Sequence, residues 1–135
     1  MKRTAILLGV VQVIVVLGAL PAGLLMIIDP SGAGVGMTQE MLSGSPFSDF
    51  LIPGIFLFAV NGLLNAIGAF LSFRRKRNAG VIGLGLGIIL VLWICVQVYM
   101  IGLTHFLQHT FFVIGLIEIV LAYMYISKMK STQVN

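Results

Sequence analysis

The chain has 135 residues, 59% of them hydrophobic and only 9% charged, with a mean hydropathy of +1.12. A water-soluble domain carries about 25% charged residues, so this chain cannot clothe a water-facing surface and reads as one integral membrane domain over residues 1–135. A net charge of only +4 and a single cysteine, Cys95, inside the apolar run Val91-Leu92-Trp93-Ile94-Cys95-Val96, argue against disorder, nucleic-acid binding and a secreted disulfide scaffold.

Uncharged runs measured against a hydrocarbon core of ~30 Å predict four helical spans. The first covers about residues 4–28 and ends at Asp29-Pro30. Lys2-Arg3 before an apolar run ending Ala19-Leu20-Pro21-Ala22 also has the outline of a cleaved signal peptide. The run is too long and the cleavage site poor, so a retained span is expected. An outer loop, 29–49, follows, with the flexible-looking run Ser31-Gly32-Ala33-Gly34-Val35-Gly36. Its end, Ser45-Pro46, reads as an N-cap and a first helical position, with Asp49 favouring the positive end of the same helix. The second span covers about 50–73 and stops at a basic turn, 74–78. The third covers about 79–101 and ends at Gly102; the fourth covers about 105–126, with Thr104 as its N-cap. Helices are required because lipid satisfies no backbone group.

All eight basic residues fall in three clusters: Lys2-Arg3, Arg74-Arg75-Lys76-Arg77, and Lys128 with Lys130. Asp29, Glu40 and Asp49 share the outer loop. The positive-inside rule then predicts an all-α, four-transmembrane-helix antiparallel bundle with both termini cytoplasmic. Arg74, Arg75, Lys76 and Arg77 serve as topology signal and attract anionic lipid at that face, rather than nucleic acid.

Polar residues within the spans are the candidates for chemistry. Glu118 stands near the middle of span four, where a buried acid costs roughly 2.5–3.5 kcal/mol. Asn61 and Asn65 share a face of span two, and Gln12 lies in span one at a related depth, so a cluster of Glu118, Asn65, Asn61 and Gln12 is predicted in the interior. It would be a proton- or cation-linked site or a small polar pocket; the plainer reading is interhelical hydrogen bonding worth about 0.6 kcal/mol per contact. His105 and His109, four apart at the outer end of span four, would hold a metal only with a third ligand such as Asp49 or Glu40. None stands at diagnostic spacing, so no metal and no cofactor is expected. Gly83 and Gly87 in span three, and Gly62 and Ala66 in span two, offer small-residue faces for close helix packing, within the bundle or across a homodimer. Tyr99, Tyr123 and Tyr125 fit interfacial belts.

A weak internal repeat is suggested by Val11-Gln12-Val13 against Val96-Gln97-Val98, and by residues 58–65 against 111–118, which pairs Asn65 with Glu118. The run Ser45-Pro46-Phe47-Ser48-Asp49-Phe50-Leu51-Ile52-Pro53-Gly54, the basic turn, then Trp93-Ile94-Cys95-Val96-Gln97-Val98-Tyr99-Met100-Ile101-Gly102 and Phe106-Leu107-Gln108 resembles a widespread group of uncharacterised small bacterial four-span integral membrane proteins. The likeness covers roughly residues 45–116. It implies a bacterial inner (cytoplasmic) membrane and four helices, and brings no activity. Small multidrug exporters also have four short spans and a membrane glutamate, but theirs lies in the first span, where this chain has only Gln12. Three functions follow as expectations: a structural or accessory subunit binding another membrane protein, a proton- or cation-coupled transporter using Glu118, and an intramembrane enzyme on a lipid or quinone using His105, His109 and Asp49. The first is favoured.

Overall fold

The computed structural model describes residues 1–102 and 106–134 and is helical, with four helices long and apolar enough to cross a membrane. Helix α1 is Lys2–Ile28. Helix α2 is Leu51–Phe73, α-helical at both ends but π-helical over Leu57–Leu63. Helix α3 is Ala79–Ile101 and α4 is Phe106–Val134. The α4 boundary departs from the sequence reading, since the helix continues past residue 126 and carries Lys128 and Lys130. Charges there raise no barrier, because a long lysine stem lies along the helix while its ammonium reaches polar surroundings; Lys128 Nζ donates to Thr4 Oγ1 at 2.8 Å.

Each helix carries a thin buried stripe and a broad apolar exterior. Leu17, Ile28, Val81, Leu92, Val120 and Tyr123 are all more than half exposed. Such a surface would aggregate in water and is what hydrocarbon solvates. Tyr99 and Tyr123 are exposed as interfacial residues should be, whereas Tyr125 is fully buried. Its hydroxyl donates to the Lys76 carbonyl at 2.7 Å, tying the basic turn to α4, because a buried phenol must find an acceptor.

Helices α1 and α2 pack along their length. Gly9 meets the Phe73 ring, Gly68 the Gln12 head, Gly62 the Leu20 side chain, and Gly23 the backbone of Phe58. Helices α3 and α4 do the same through Gly80 against Tyr125 and Ile126, Gly83 against Ala122, Gly87 against Ile119, and Gly115 against Val91. The predicted packing faces are thus used within the chain at Gly62, Gly83 and Gly87. Ala66 takes no part in packing within the chain: the buried stripe of α2 passes through Asn65, Gly68, Ala69 and Ser72 and leaves Ala66 exposed beyond its edge.

Two apolar layers hold the bundle, one near the end that carries the basic turn and one at mid-depth. One joins Ala5, Leu8, Ala79, Ala122 and Tyr125; the other joins Val15, Leu90 and Ile94. A third cluster, Met26, Leu42 and Phe50, seats the 29–49 loop on the helices. The glycine run of that loop, expected to be flexible, is instead folded into a short 3-10 turn, Ala33–Val35. Gly32 takes φ +85° and lies against the Phe50 ring, with no room for a Cβ. Ser45-Pro46 does not start α2. Ser45 Oγ donates to the Leu42 carbonyl and accepts from Phe47 N, making a turn. The start is signalled by Asp49, whose Oδ1 accepts from Leu51 N at 3.0 Å.

The glycine contacts give a stability prediction. A Cβ at Gly87 would come within 2.8 Å of Ile119 Cγ1 and 3.2 Å of the Gly115 carbonyl, while one at Gly85 would meet nothing within 4 Å. Gly87→Ala is expected to destabilise by about 1–3 kcal/mol through overpacking, and Gly85→Ala to leave stability unchanged or raised, as read by unfolding in mixed micelles.

Candidate functional site

The four polar residues singled out in the sequence are all buried: Gln12 and Glu118 fully, Asn65 fully, and Asn61 to 1% exposure. Ser72, which the sequence reading missed, is buried with them. They occupy two levels. The inner level is a polar layer between the two apolar layers, built on Gln12. Its Oε1 accepts from Ser72 Oγ at 2.8 Å, and its amide faces the Glu118 carboxyl across the α1–α4 seam. That approach is close enough for electrostatic contact but short of a formed hydrogen bond, since Gln12 Nε2 and both Glu118 oxygens lack partners of bonding geometry. Room for the Gln12 head comes from two glycines: a Cβ on Gly68 would stand 2.9 Å from Nε2, and one on Gly83 3.2 Å. Gly83 therefore serves a polar side chain as well as helix packing.

Asn65 and Asn61 lead from this layer to the outer level. Asn65 Nδ2 donates to the Asn61 carbonyl at 3.0 Å, and Asn65 Oδ1 has no partner. Asn61 lies in the π-helical segment, whose wider turn displaces it from the register an α-helix would give. It stands in the wall of an open-sided cavity of about 360 Å³ bordered by all four helices. Neither its Nδ2 nor its Oδ1 has a hydrogen-bond partner. A buried amide with both ends unmet costs free energy, and π-bulges in α-helices occur frequently at functional sites.

The cavity wall is apolar for most of its area. Val15, Leu90 and Ile94 lie toward its inner end, and Ala19, Pro21 and Ala22 supply small side chains from α1. Val35 and Met37 from the outer loop also line it, so the folded loop forms part of the wall. Trp93 contributes one aromatic wall and is held by stacking on Phe56, with ring centroids 4.8 Å apart and planes inclined by 21°. Gln97 and Gln108 add two further amides; Gln108 Nε2 donates to the Gly102 carbonyl at 3.2 Å. Among the described residues no charged side chain lines the cavity.

The remaining sequence candidates lie elsewhere. His109 is exposed, while His105 and the Thr104 cap fall outside the described residues. Among the described residues no three His, Cys, Asp or Glu side chains gather as metal ligands do. Arg74–Arg77 are exposed, with the Arg74 guanidinium 5.6 Å from the centre of the Phe70 ring. In the suggested repeat, Gln12 belongs to the inner polar layer but Gln97 to the outer cavity, so that pairing joins residues of different environment. Comparison with family models, with curated proteins and with solved structures returned no match.

The inner layer makes a test of its own. Ser72→Ala removes the bond to Gln12 and is expected to cost about 0.6 kcal/mol, the usual worth of a side-chain hydrogen bond in a membrane interior. Denaturation of the variant in micelles checks this.

Proposed function

We propose that this chain is a multi-pass protein of a bacterial inner membrane that binds a small, neutral, mainly apolar molecule in the cavity between its helices. The observation that carries the reading is Asn61, an almost fully buried amide with both polar ends unmet in a cavity wall. A ligand pocket of 300–1,000 Å³ lined by apolar side chains, with few orienting polar groups, has this chemistry. A charged ligand would find no countercharge in the wall and would bear a desolvation penalty of several kcal/mol. A neutral one offering both a donor and an acceptor would satisfy Asn61 once that side chain, whose Nδ2 and Oδ1 are covered by protein, turned toward the cavity, and would leave its apolar body against Trp93 and Ile94.

In this proposal the four helices run antiparallel with both termini cytoplasmic. Support comes from the contacts, in which early residues of each helix meet late residues of its neighbour, as with Gly9 and Phe73 or Gly80 and Ile126. The confinement of every Lys and Arg to the same end supports it as well. The resemblance to small bacterial four-span proteins supports the setting. Gly62, Gly83 and Gly87 have partners inside the chain, so an accessory subunit would meet its partner through other surfaces, such as the outer loop.

Two measurements test the proposal. Trp93 is the only tryptophan and sits in the cavity wall, so its fluorescence reports occupancy. A short primary amide carrying a terminal bromine should quench it saturably, and Asn61→Leu should weaken that binding by about three- to tenfold, the worth of one membrane hydrogen bond. Quenching that never saturates, or that is unchanged in Asn61→Leu, refutes the ligand site. For topology, with Cys95 replaced by Ser, a cysteine at Met37 should react with an impermeant maleimide added outside intact cells. One at Lys130 should react only after permeabilisation, and the opposite pattern would reverse the assignment.

A further inference from the structure

We propose that Gln12 and Glu118 form a proton-binding site, in which Glu118 is held as the neutral acid paired with the Gln12 amide. This site lies one level below the ligand cavity and stands independently of it.

The argument starts from the count of hydrogen-bonding groups. Among the buried side-chain atoms of the described residues that lack partners, four are oxygens: Glu118 Oε1 and Oε2, Asn65 Oδ1 and Asn61 Oδ1. Only two are nitrogen donors, Gln12 Nε2 and Asn61 Nδ2. An ionised carboxylate only accepts, whereas a protonated one has an O–H to donate. One proton on Glu118 turns one of the four acceptors into a donor and leaves three of each. The same conclusion holds for the facing pair alone. A carboxylic acid and a primary amide are complementary: the acid O–H donates to Gln12 Oε1, and Gln12 Nε2 donates to the remaining acid oxygen. Gln12 Oε1 can take this bond in addition to that from Ser72, because a carbonyl oxygen has two lone pairs. Without the proton, the two N–H groups of Gln12 Nε2 are the donors that face a carboxylate with four lone-pair sites.

Among the described residues no cation stands beside Glu118 to replace the proton. Helix α1 carries no ionisable side chain from Thr4 to Ile28, and α2 none from Leu51 to Phe73. Helix α3 carries only Cys95 and Tyr99, both exposed. On α4 itself the Tyr125 hydroxyl is bound to the Lys76 carbonyl and Lys128 to Thr4. A carboxylate at 0% exposure with no cation beside it is an uncompensated buried charge. If the proton is held only in the folded state, stability must fall as pH rises, because the unfolded chain binds fewer protons.

Infrared spectroscopy of the protein in lipid tests this directly. Asp29, Glu40 and Asp49 all lie in the outer loop and none is buried, so a protonated-carboxyl carbonyl band at neutral pH can come only from Glu118. The band is expected in the native protein, shifted when glutamate is labelled with carbon-13, and absent in Glu118→Gln. Labelling with carbon-13 makes the assignment even if the variant does not fold, since the other glutamate, Glu40, is exposed. A neutral-pH spectrum with no such band overturns the proposal. In a folded Glu118→Gln protein, the decline of stability with rising pH should flatten; an unchanged slope would also overturn it. Neither readout depends on ligand binding at Asn61, so failure here and failure of the cavity reading are separate results.

Discussion

Hydrocarbon offers no hydrogen bonds, and the interior of this bundle is organised around the few side chains that need them. Gln12 is the centre of that arrangement. Its head takes the Ser72 hydroxyl on one side and faces Glu118 on another, and it fits only because Gly68 and Gly83 carry no side chain. These two glycines, one on α2 and one on α3, leave the space that the Gln12 head fills. Close packing and polar satisfaction are one solution here, since each requires the backbones to approach. The apolar layers around Leu8 and Val15 then exclude lipid and water from either side.

Above that layer the packing relaxes. Small residues of α1 around Pro21 and the wide turn of α2 leave the space that Trp93, Ile94 and the folded loop border. Asn65 is shared between the levels, reaching from the polar layer to the Asn61 backbone. The molecule thus keeps its acid on the side of the basic turn and its open volume on the side of the 29–49 loop.

Much of this was legible from residue types alone. Four spans follow from long runs without Lys, Arg, Asp or Glu, and the burial of Gln12, Asn61, Asn65 and Glu118 follows from the cost of exposing them to lipid. Ser72 was not legible, because serine is tolerated on any helix face, and its role depends on a partner 60 residues away. Nor was the separation of Asn61 from Glu118: spacing places Asn61 and Asn65 on one face, but the π-helical turn is a backbone property with no local signature in Phe58-Ala59-Val60-Asn61. The outer loop misled for a related reason. Its glycines signal flexibility in isolation, while their fixed shape comes from Phe50 and Met37, which contact them only after folding. The place of Ala66, off the packing face within the chain, needed the same backbone information.

The π-helical segment also constrains how this chain can change. A π-helical turn holds about one residue more than an α-helical one, so losing a single residue between Leu57 and Leu63 would let the segment close as ordinary α-helix and keep Asn65, Gly68 and Ser72 facing inward. A loss just beyond it, in the regular α-helical part, would instead swing every later residue of α2 by about 100°. Substitutions along α2 act one at a time, but outside the wide turn its length is read by the whole bundle. The wide turn acts as a phase setter: it takes up one residue and so fixes which face of the inner half of α2 meets α1, through residue count rather than residue identity.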